Sequence, residues 1–333
     1  MRRGTAPIST GFLALLLAAC GAGAPGPQEI VVVPQGATVR AVAESLATHG
    51  VIRSPLWFRF LVRVKGQDRR LQRVAYAFHR DVGARAALLA LVSGKALLQR
   101  FTVPEGFTLL DIAGLAQREL AIPRDSFLAA ARDPALLREF GVPDPSFEGY
   151  LRPETYLVAP GLRAPKMVRV MASTFVEGWK PAWDSLARAQ GLDRRTVVIL
   201  ASIVETEAKL DGDRALIAAV YRNRLRRRMP LQADATVQYG LELATGSRKP
   251  RLFEKDYRFA SAYNTYLHPG LPPGPVGAPG WKSVEAVLRP APVPYLYFVA
   301  GPDGAHVFSR TYGEHLRAVR KVRREERGLR NED

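Results

Sequence analysis

The sequence predicts an α+β protein, in which a small strand-and-helix module precedes a larger helical domain that closes with a β-hairpin. Three observations predict it. Ile30 to Leu46 reads IVVVPQGATVRAVAESL and Arg100 to Ala116 reads RFTVPEGFTLLDIAGLA, so Val33-Pro34, Gly36 and Thr38 recur as Val103-Pro104, Gly106 and Thr108. Each copy reads as a β-branched strand, a Pro/Gly turn, a threonine cap and an amphipathic helix. Between residues 110 and 228 apolar residues recur at helical spacing, interrupted by Pro123, Pro134, Pro143 and Pro145. Finally, PYLYFVA (Pro294 to Ala300) and AHVFS (Ala305 to Ser309) flank Gly301-Pro302-Asp303-Gly304, the signature of two strands joined by a tight turn.

The 333 residues suffice for two domains, and a 47% hydrophobic content is ample for their cores. At the start, Met1-Arg2-Arg3 and the apolar GFLALLLAAC follow the plan of a secretory signal. The apolar stretch from Gly11 to Ala24 is 14 residues, short of the ~18 expected of a spanning helix. Leu17-Ala18-Ala19-Cys20 resembles a bacterial lipobox, in which Cys20 is acylated; an uncleaved short anchor and a plain signal peptide are the alternatives. Cys20 is the only cysteine, which excludes an internal disulfide framework. Acyl chains at Cys20 would hold the protein on a membrane.

Residues 1–20 are therefore assigned to the signal and lipobox, and the Gly/Pro/Ala-rich residues 21–28 to a tether. Residues 29–95, with the first repeat copy, resemble a LysM-type module, a small unit that often holds glycan chains; a purely structural module is the alternative. Residues 96–147 carry the second copy and a helical connector. Residues 148–325 form the domain that carries the candidate chemistry, and 326–333 a tail. Within that domain EGYLRPETYLV (Glu148 to Val158) reads as turn-rich, and helices are expected from Arg195 and over Asp213 to Arg228. The Pro/Gly/Tyr/Asn-rich ASAYNTYLHPGLPPGPVGAPG (Ala260 to Gly280) is too long and irregular for a mere connection, which points to a binding surface.

Chemistry is expected in LASIVETEAK, residues 200–209, where an apolar helix ends in Glu205 and Glu207. At about 100° per residue the two carboxylates point to nearly opposite sides, so they do not face one bond as a pair. Glu207 lies over Val204, Ile203 and Leu200, and Glu205 over Ser202, Ala201 and Val198. The more apolar setting of Glu207 would raise its pKa, as a general acid near neutral pH requires. An amphipathic helix with a solvated acidic end is the plainer alternative.

Other chemistries are missing. There is no GxSxG elbow, HExxH, Walker loop or dinucleotide fingerprint, and His49, His79, His268, His306 and His315 lack metal-ligand spacing, so neither metal nor cofactor is expected. The net charge of +17, concentrated at Arg224 to Arg228 and Arg317 to Arg330, would suit an anionic partner. The export signal argues against nucleic acid. Carboxylate chemistry beside a Tyr/Asn-rich loop in an exported protein points instead to a polysaccharide, since aromatic rings stack on sugars and amides read their hydroxyl and acetamido groups. Glycosidic cleavage usually uses two carboxyl groups, and here Glu207 is the strong candidate, with Glu205 and Asp234 near it in sequence.

Five segments in order, EGYLRPETY (Glu148 to Tyr156), LASIVETEA (Leu200 to Ala208), LQADATVQYG (Leu231 to Gly240), SAYNTYLHPGLPPGPVGAPG (Ser261 to Gly280) and PYLYFVAGPDGAHVFS (Pro294 to Ser309), resemble the YceG-like endolytic murein transglycosylases. The resemblance implies non-hydrolytic cleavage within peptidoglycan strands between N-acetylmuramic acid and N-acetylglucosamine, leaving 1,6-anhydromuramyl ends and limiting strand length. It implies Glu207, the second glutamate of I-V-E-x-E, as the catalytic acid and base, and Glu205 in support. Gln232, Asp234, Tyr263, Asn264 and Thr265 would line the substrate cleft. It further implies a cell-envelope location, membrane-anchored with the catalytic domain on the periplasmic side, and peptidoglycan synthases of the elongation machinery as partners. The chain departs from the family pattern in its lipobox-like start, in Glu154 of Pro153-Glu154-Thr155-Tyr156 and in Ala235 of Asp234-Ala235-Thr236-Val237. A non-catalytic peptidoglycan-binding lipoprotein is the competing function.

Overall fold

The computed structural model describes residues 28–34, 36–72, 75–94, 99–158 and 160–329. The signal segment, Cys20 and residues 21–27 of the tether lie outside them. The chain divides into two compact units, Met1–Leu97 and Leu98–Asp333. No described helix is long and apolar enough to cross a membrane.

The first unit runs β1 (Gln28–Val32), α1 (Val39–Thr48), α2 (Pro55–Val64), β2 (Ala75–His79) and α3 (Ala84–Ser93). β1 and β2 pair antiparallel with Val31 opposite Tyr76. Helix starts follow local chemistry: the Thr38 hydroxyl accepts the Ala41 N–H, and the Ser54 hydroxyl accepts the Trp57 N–H with Pro55 in the first turn. Val31, Val42, Leu46, Phe58, Val62, Tyr76, Leu88 and Leu91 form the core. Tyr76 can sit there because its hydroxyl donates to the carbonyls of Gln72 and Leu91 at 3.0 and 3.1 Å.

The second unit begins with β3 (Gln99–Thr102), α4 (Leu109–Leu120), α5 (Arg124–Ala130), α6 (Pro134–Glu139) and β4 (Thr155–Val158). β3 and β4 pair antiparallel, with Phe101 opposite Tyr156, so the end of the turn-rich EGYLRPETYLV segment is a strand. Thr108 caps α4 in a reciprocal capping box with Asp111. Thr38 and Thr108 thus occupy the same position in the two repeat copies, and Gly36 and Gly106 both adopt the left-handed conformation their turns need.

Next come α7 (Ala164–Gly178), α8 (Pro181–Ala189), α9 (Arg194–Glu207), α10 (Arg214–Arg226), α11 (Asp234–Thr245), α12 (Trp281–Leu288), the antiparallel hairpin β5 (Tyr297–Ala300) and β6 (His306–Ser309), and α13 (Tyr312–Leu329). Helices α8, α10, α11 and α12 all pack on α9. Consequently α9 is buried without a break from Val197 to Val204. At one end of this bundle Trp183 stands edge-on to Trp281 and to Trp179, with centroids 5.1 and 5.3 Å apart, and the Arg152 guanidinium lies 4.3 Å over the Trp281 ring. Truncating such a buried ring leaves a cavity that the surrounding helices cannot fill. Trp183→Ala is expected to cost about 3 to 5 kcal/mol, measured as a shift in the urea unfolding midpoint.

Candidate active site

Glu205 and Glu207 leave α9 in opposite directions, and what each meets differs in kind. The Glu205 side chain is 5% exposed and forms an ion pair with Arg214 at 2.8 Å. Its second oxygen accepts the Gly280 N–H at 2.8 Å. Arg214 also donates to the Ser283 hydroxyl and to Asp211. Glu205 therefore fixes the start of α12 and the end of the long loop to α9.

Glu207 is the last residue of α9 and is partly buried. Its carboxyl pKa is pushed up to about 7, first by burial and next by the charge of Asp234; the Tyr221 hydroxyl, the Ala235 N–H and the Arg224 charge act in the opposite sense. The C-terminal end of α9 adds partial negative charge, and the start of α11 presents N–H groups that favour the carboxylate. A carboxyl held between such influences exchanges a proton near neutral pH. The helical wheel singles out Glu207 for its apolar neighbours, but α9 is buried all round, so apolarity does not separate the two glutamates. A contact ion pair does: Glu205 has Arg214 at 2.8 Å, and Glu207 has the Tyr221 hydroxyl, the Ala235 N–H and a neighbouring carboxylate, with the Arg224 charge the weakest influence.

Asp234, in the first turn of α11, accepts the Tyr266 hydroxyl at 2.6 Å and the Tyr257 hydroxyl at 3.1 Å. The two rings lie 4.8 Å apart. The hydroxyl pKa of Tyr257 is raised to about 12 and that of Tyr266 is also raised, in both cases chiefly by burial, with Asp234 and Glu207 contributing. Gln232 is exposed, has φ of 51°, and its side-chain oxygen lies 3.5 Å from Arg224. Glu207, Asp234 and Gln232 thus share the neighbourhood of Tyr221 and Arg224.

The other sequence-derived candidates lie differently. Asn264 is fully buried: its amide donates to the carbonyls of Tyr257 and Phe259, and its oxygen accepts the Tyr266 N–H. Thr265, 1% exposed, bonds to Thr236 and to the Ala233 N–H. Thr265 holds the loop against the start of α11, Asn264 holds the loop's own fold, and neither presents a free group to a ligand. Their hydrogen bonds are all satisfied by backbone and threonine partners that only the folded loop brings near. Tyr263 packs edge-on to Tyr239 at 4.8 Å, with its pKa raised to about 12 by burial. Tyr239 in turn donates to Glu148, a buried carboxyl whose pKa burial pushes up to about 8.

Sequence reasoning missed Tyr221, Arg224, Tyr257 and Tyr266. Tyr221 and Arg224 stand one turn apart on α10, and that spacing was available in AAVYRNRLRRR. Arg224 reads there as part of a surface cluster, yet it is buried and donates to the carbonyls of Leu231 and Leu296, both at 2.7 Å. Among the described residues no group of three or more His, Cys, Asp or Glu side chains is arranged to hold a metal ion.

Comparison with known proteins gives this arrangement a family. The YceG-like family model matches residues 31–321. A protein of Bacillus subtilis (strain 168) described as an endolytic murein transglycosylase is 32% identical over 308 residues, which cover 87% of this chain and 83% of that protein. A protein of the same description from Streptococcus pneumoniae serotype 2 is 28% identical over 315 residues, covering 86% of this chain and 57% of its own length. The crystal structure of a YceG-like protein from Listeria monocytogenes superposes with a TM-score of 0.60 at 28% identity, covering 88% of this chain and 99% of that one. With the family model spanning most of its length, the chain belongs to the YceG-like family.

Proposed function

We propose that the chain is an endolytic murein transglycosylase in which Glu207 is both acid and base. The observation that carries this reading is a partly buried carboxyl, with a pKa of about 7, set between the Tyr221 hydroxyl and the Ala235 N–H and facing the Asp234 charge. The protonated Glu207 gives its proton to the glycosidic oxygen between N-acetylmuramic acid and N-acetylglucosamine as the C1–O bond breaks. The muramyl C6 hydroxyl bonds to C1, and its proton returns to the Glu207 carboxylate. The product is a 1,6-anhydromuramyl end, no water is consumed, and a single carboxyl suffices. Asp234, fixed by two tyrosine hydroxyls, keeps the Glu207 proton on until the substrate takes it. Gln232 and the exposed edge of the tyrosine pair are the groups available to sugar hydroxyls.

In this reading residues 148–325 are the catalytic domain, and residues 29–95, whose two antiparallel strands flank a pair of helices, are a LysM-like module that holds the glycan strand. In the same reading an acylated Cys20 after the N-terminal signal would hold the enzyme on the membrane with its catalytic domain on the periplasmic side. Its partners are nascent peptidoglycan strands and the synthases that extend them.

Four outcomes test the assignment. Glu207→Gln should lower formation of anhydromuramyl ends from purified peptidoglycan by about 10² to 10⁴-fold, measured by mass spectrometry of the digest, with the circular dichroism spectrum unchanged; equal product from the variant would overturn it. The acid must be protonated to act, so the rate should be level below pH 7 and fall as the pH rises through about 7. Asp234→Asn removes the charge that raises the Glu207 pKa, so this alkaline limb should move to lower pH in the pH–rate profile. Glu205→Ala should act on stability instead, because it leaves Arg214 with only the exposed Asp211 carboxylate and the Ser283 hydroxyl; a loss of about 1.5 to 3 kcal/mol by denaturant unfolding is expected.

A further inference from the structure

Residues on the opposite face of α10 take no part in the proposed reaction. Tyr221 and Arg224 lie on one side of the helix, whereas Arg222 and Arg226, four residues apart, share the other. There a cavity of about 820 Å³ opens between Gln190 at the end of α8, Arg222, Arg226 and Arg227, and the Pro290 to Pro294 loop. No carboxylate lines it. Among the described residues none of the three arginines has a carboxylate within ion-pair distance.

Arg222 is the informative group. Its Nη1 is hidden from water and has no hydrogen-bond partner, while Nη2 reaches the Gln190 carbonyl only at 3.4 Å. Burial, followed by repulsion from Arg226, holds its pKa below the ordinary value. An uncompensated guanidinium beside a second cation is unfavourable unless something supplies negative charge and acceptors. The protein supplies no negative charge there and few acceptors: the Asn223 oxygen accepts one N–H of Arg226, and nothing accepts Nη1 of Arg222. Asn223 spends its amide on the carbonyls of Val293 and Tyr295, which pins the loop, and Pro290, Pro292 and Pro294 have no N–H to offer. The donors of this cavity are therefore guanidinium forks.

We propose that this cavity is a binding site for a phosphoryl group, held by Arg222 and Arg226 with Arg227 at the same wall. One carboxylate is satisfied by one arginine fork, whereas the oxygens and multiple charges of a phosphate or diphosphate match two or three. The volume, within the ~300 to 1,000 Å³ typical of ligand pockets, exceeds what the phosphoryl group fills, and the alanine and proline walls accept an organic body attached to it. The source is a lipid headgroup or a soluble phosphorylated molecule. The site does not depend on the role of Glu207.

The test uses the full chain in lipid nanodiscs and inorganic pyrophosphate as the probe, followed by calorimetry. Saturable binding with one site is expected in phosphatidylcholine discs, weakened at least tenfold in Arg222→Gln/Arg226→Gln and unchanged in the control Arg317→Gln/Arg320→Gln. Arg222→Lys, which keeps the charge but loses the fork, should weaken binding several-fold while thermal unfolding without ligand stays at or above the parent's. Weaker pyrophosphate binding in discs containing phosphatidylglycerol assigns the site to a lipid headgroup through competition, and equal binding assigns it to a soluble ligand. Absence of saturable binding, equal affinity in the double variant, or equally tight binding of the dipeptide Glu-Glu would overturn the proposal.

Discussion

Eight consecutive residues of α9, Val197 to Val204, are buried, so any polar atom this helix carries must find its partner inside the protein. Three side chains near its C-terminal half bring that requirement, and each recruits a different part of the chain. The Ser202 hydroxyl donates to the Ile199 carbonyl and accepts the Val276 N–H, fastening the middle of the proline-rich loop. Glu205 takes Arg214 from α10 and the Gly280 N–H. Glu207 takes Tyr221 from α10 and the Ala235 N–H from α11. The loop is also tied to the Val103–Thr108 turn: the Gly106 N–H donates to Ala278 and the Ala278 N–H to Phe107, each at 2.8 Å. At Gly277 between them a Cβ would lie 2.7 Å from the Gly106 oxygen, so only glycine permits this approach.

The same constraint divides the labour between the glutamates. A carboxylate buried in an ion pair is expensive to remove from its partner, which suits Glu205 to positioning. A carboxyl given hydroxyl and amide neighbours, with another carboxylate nearby, pays little to hold its proton at neutral pH. Environment, rather than residue type, separates the two roles across a single turn of helix.

What was legible in the sequence is what local chemistry decides. The threonine caps and left-handed glycines of the two repeat copies, the helices around LASIVETEAK and YRNRL, and the GPDG hairpin all follow from residues within a few positions of one another. The raised pKa of Glu207 was legible because a glutamate ending an apolar helix conflicts with its surroundings. Asn264 and Thr265 looked like cleft residues because polar side chains in an irregular loop have no visible partner until the loop folds on itself, for Asn264, and onto α11, for Thr265. Arg224 was misread for the converse reason: its acceptors, Leu231 and Leu296, are backbone carbonyls, which leave no mark in a sequence, and Leu296 is 72 residues away. Tyr257 and Tyr266 meet at Asp234 across 23 and 32 residues, beyond any local pattern.

The RNRLRRR block shows how one helix resolves a charge cluster that reads as uniform. Helical geometry sends Arg224 inward on the side of Glu207, and Arg222 and Arg226 to the far side, while Arg227 and Arg228 end the helix in the exposed chain. Arg224 is compensated by carbonyls and lies 5.2 Å over the Tyr297 ring, so its burial needs no anion. Arg222 has no such compensation for Nη1. Because both residues are fixed to the same rigid helix, the positions of Tyr221 and Arg224 beside Glu207 and the unbalanced charge behind them are set by one element. A helix buried on one face against Glu207 and loaded on the other with cations that have no carboxylate partner among the described residues is under electrostatic demand from the second side, and that demand can be met without moving the first.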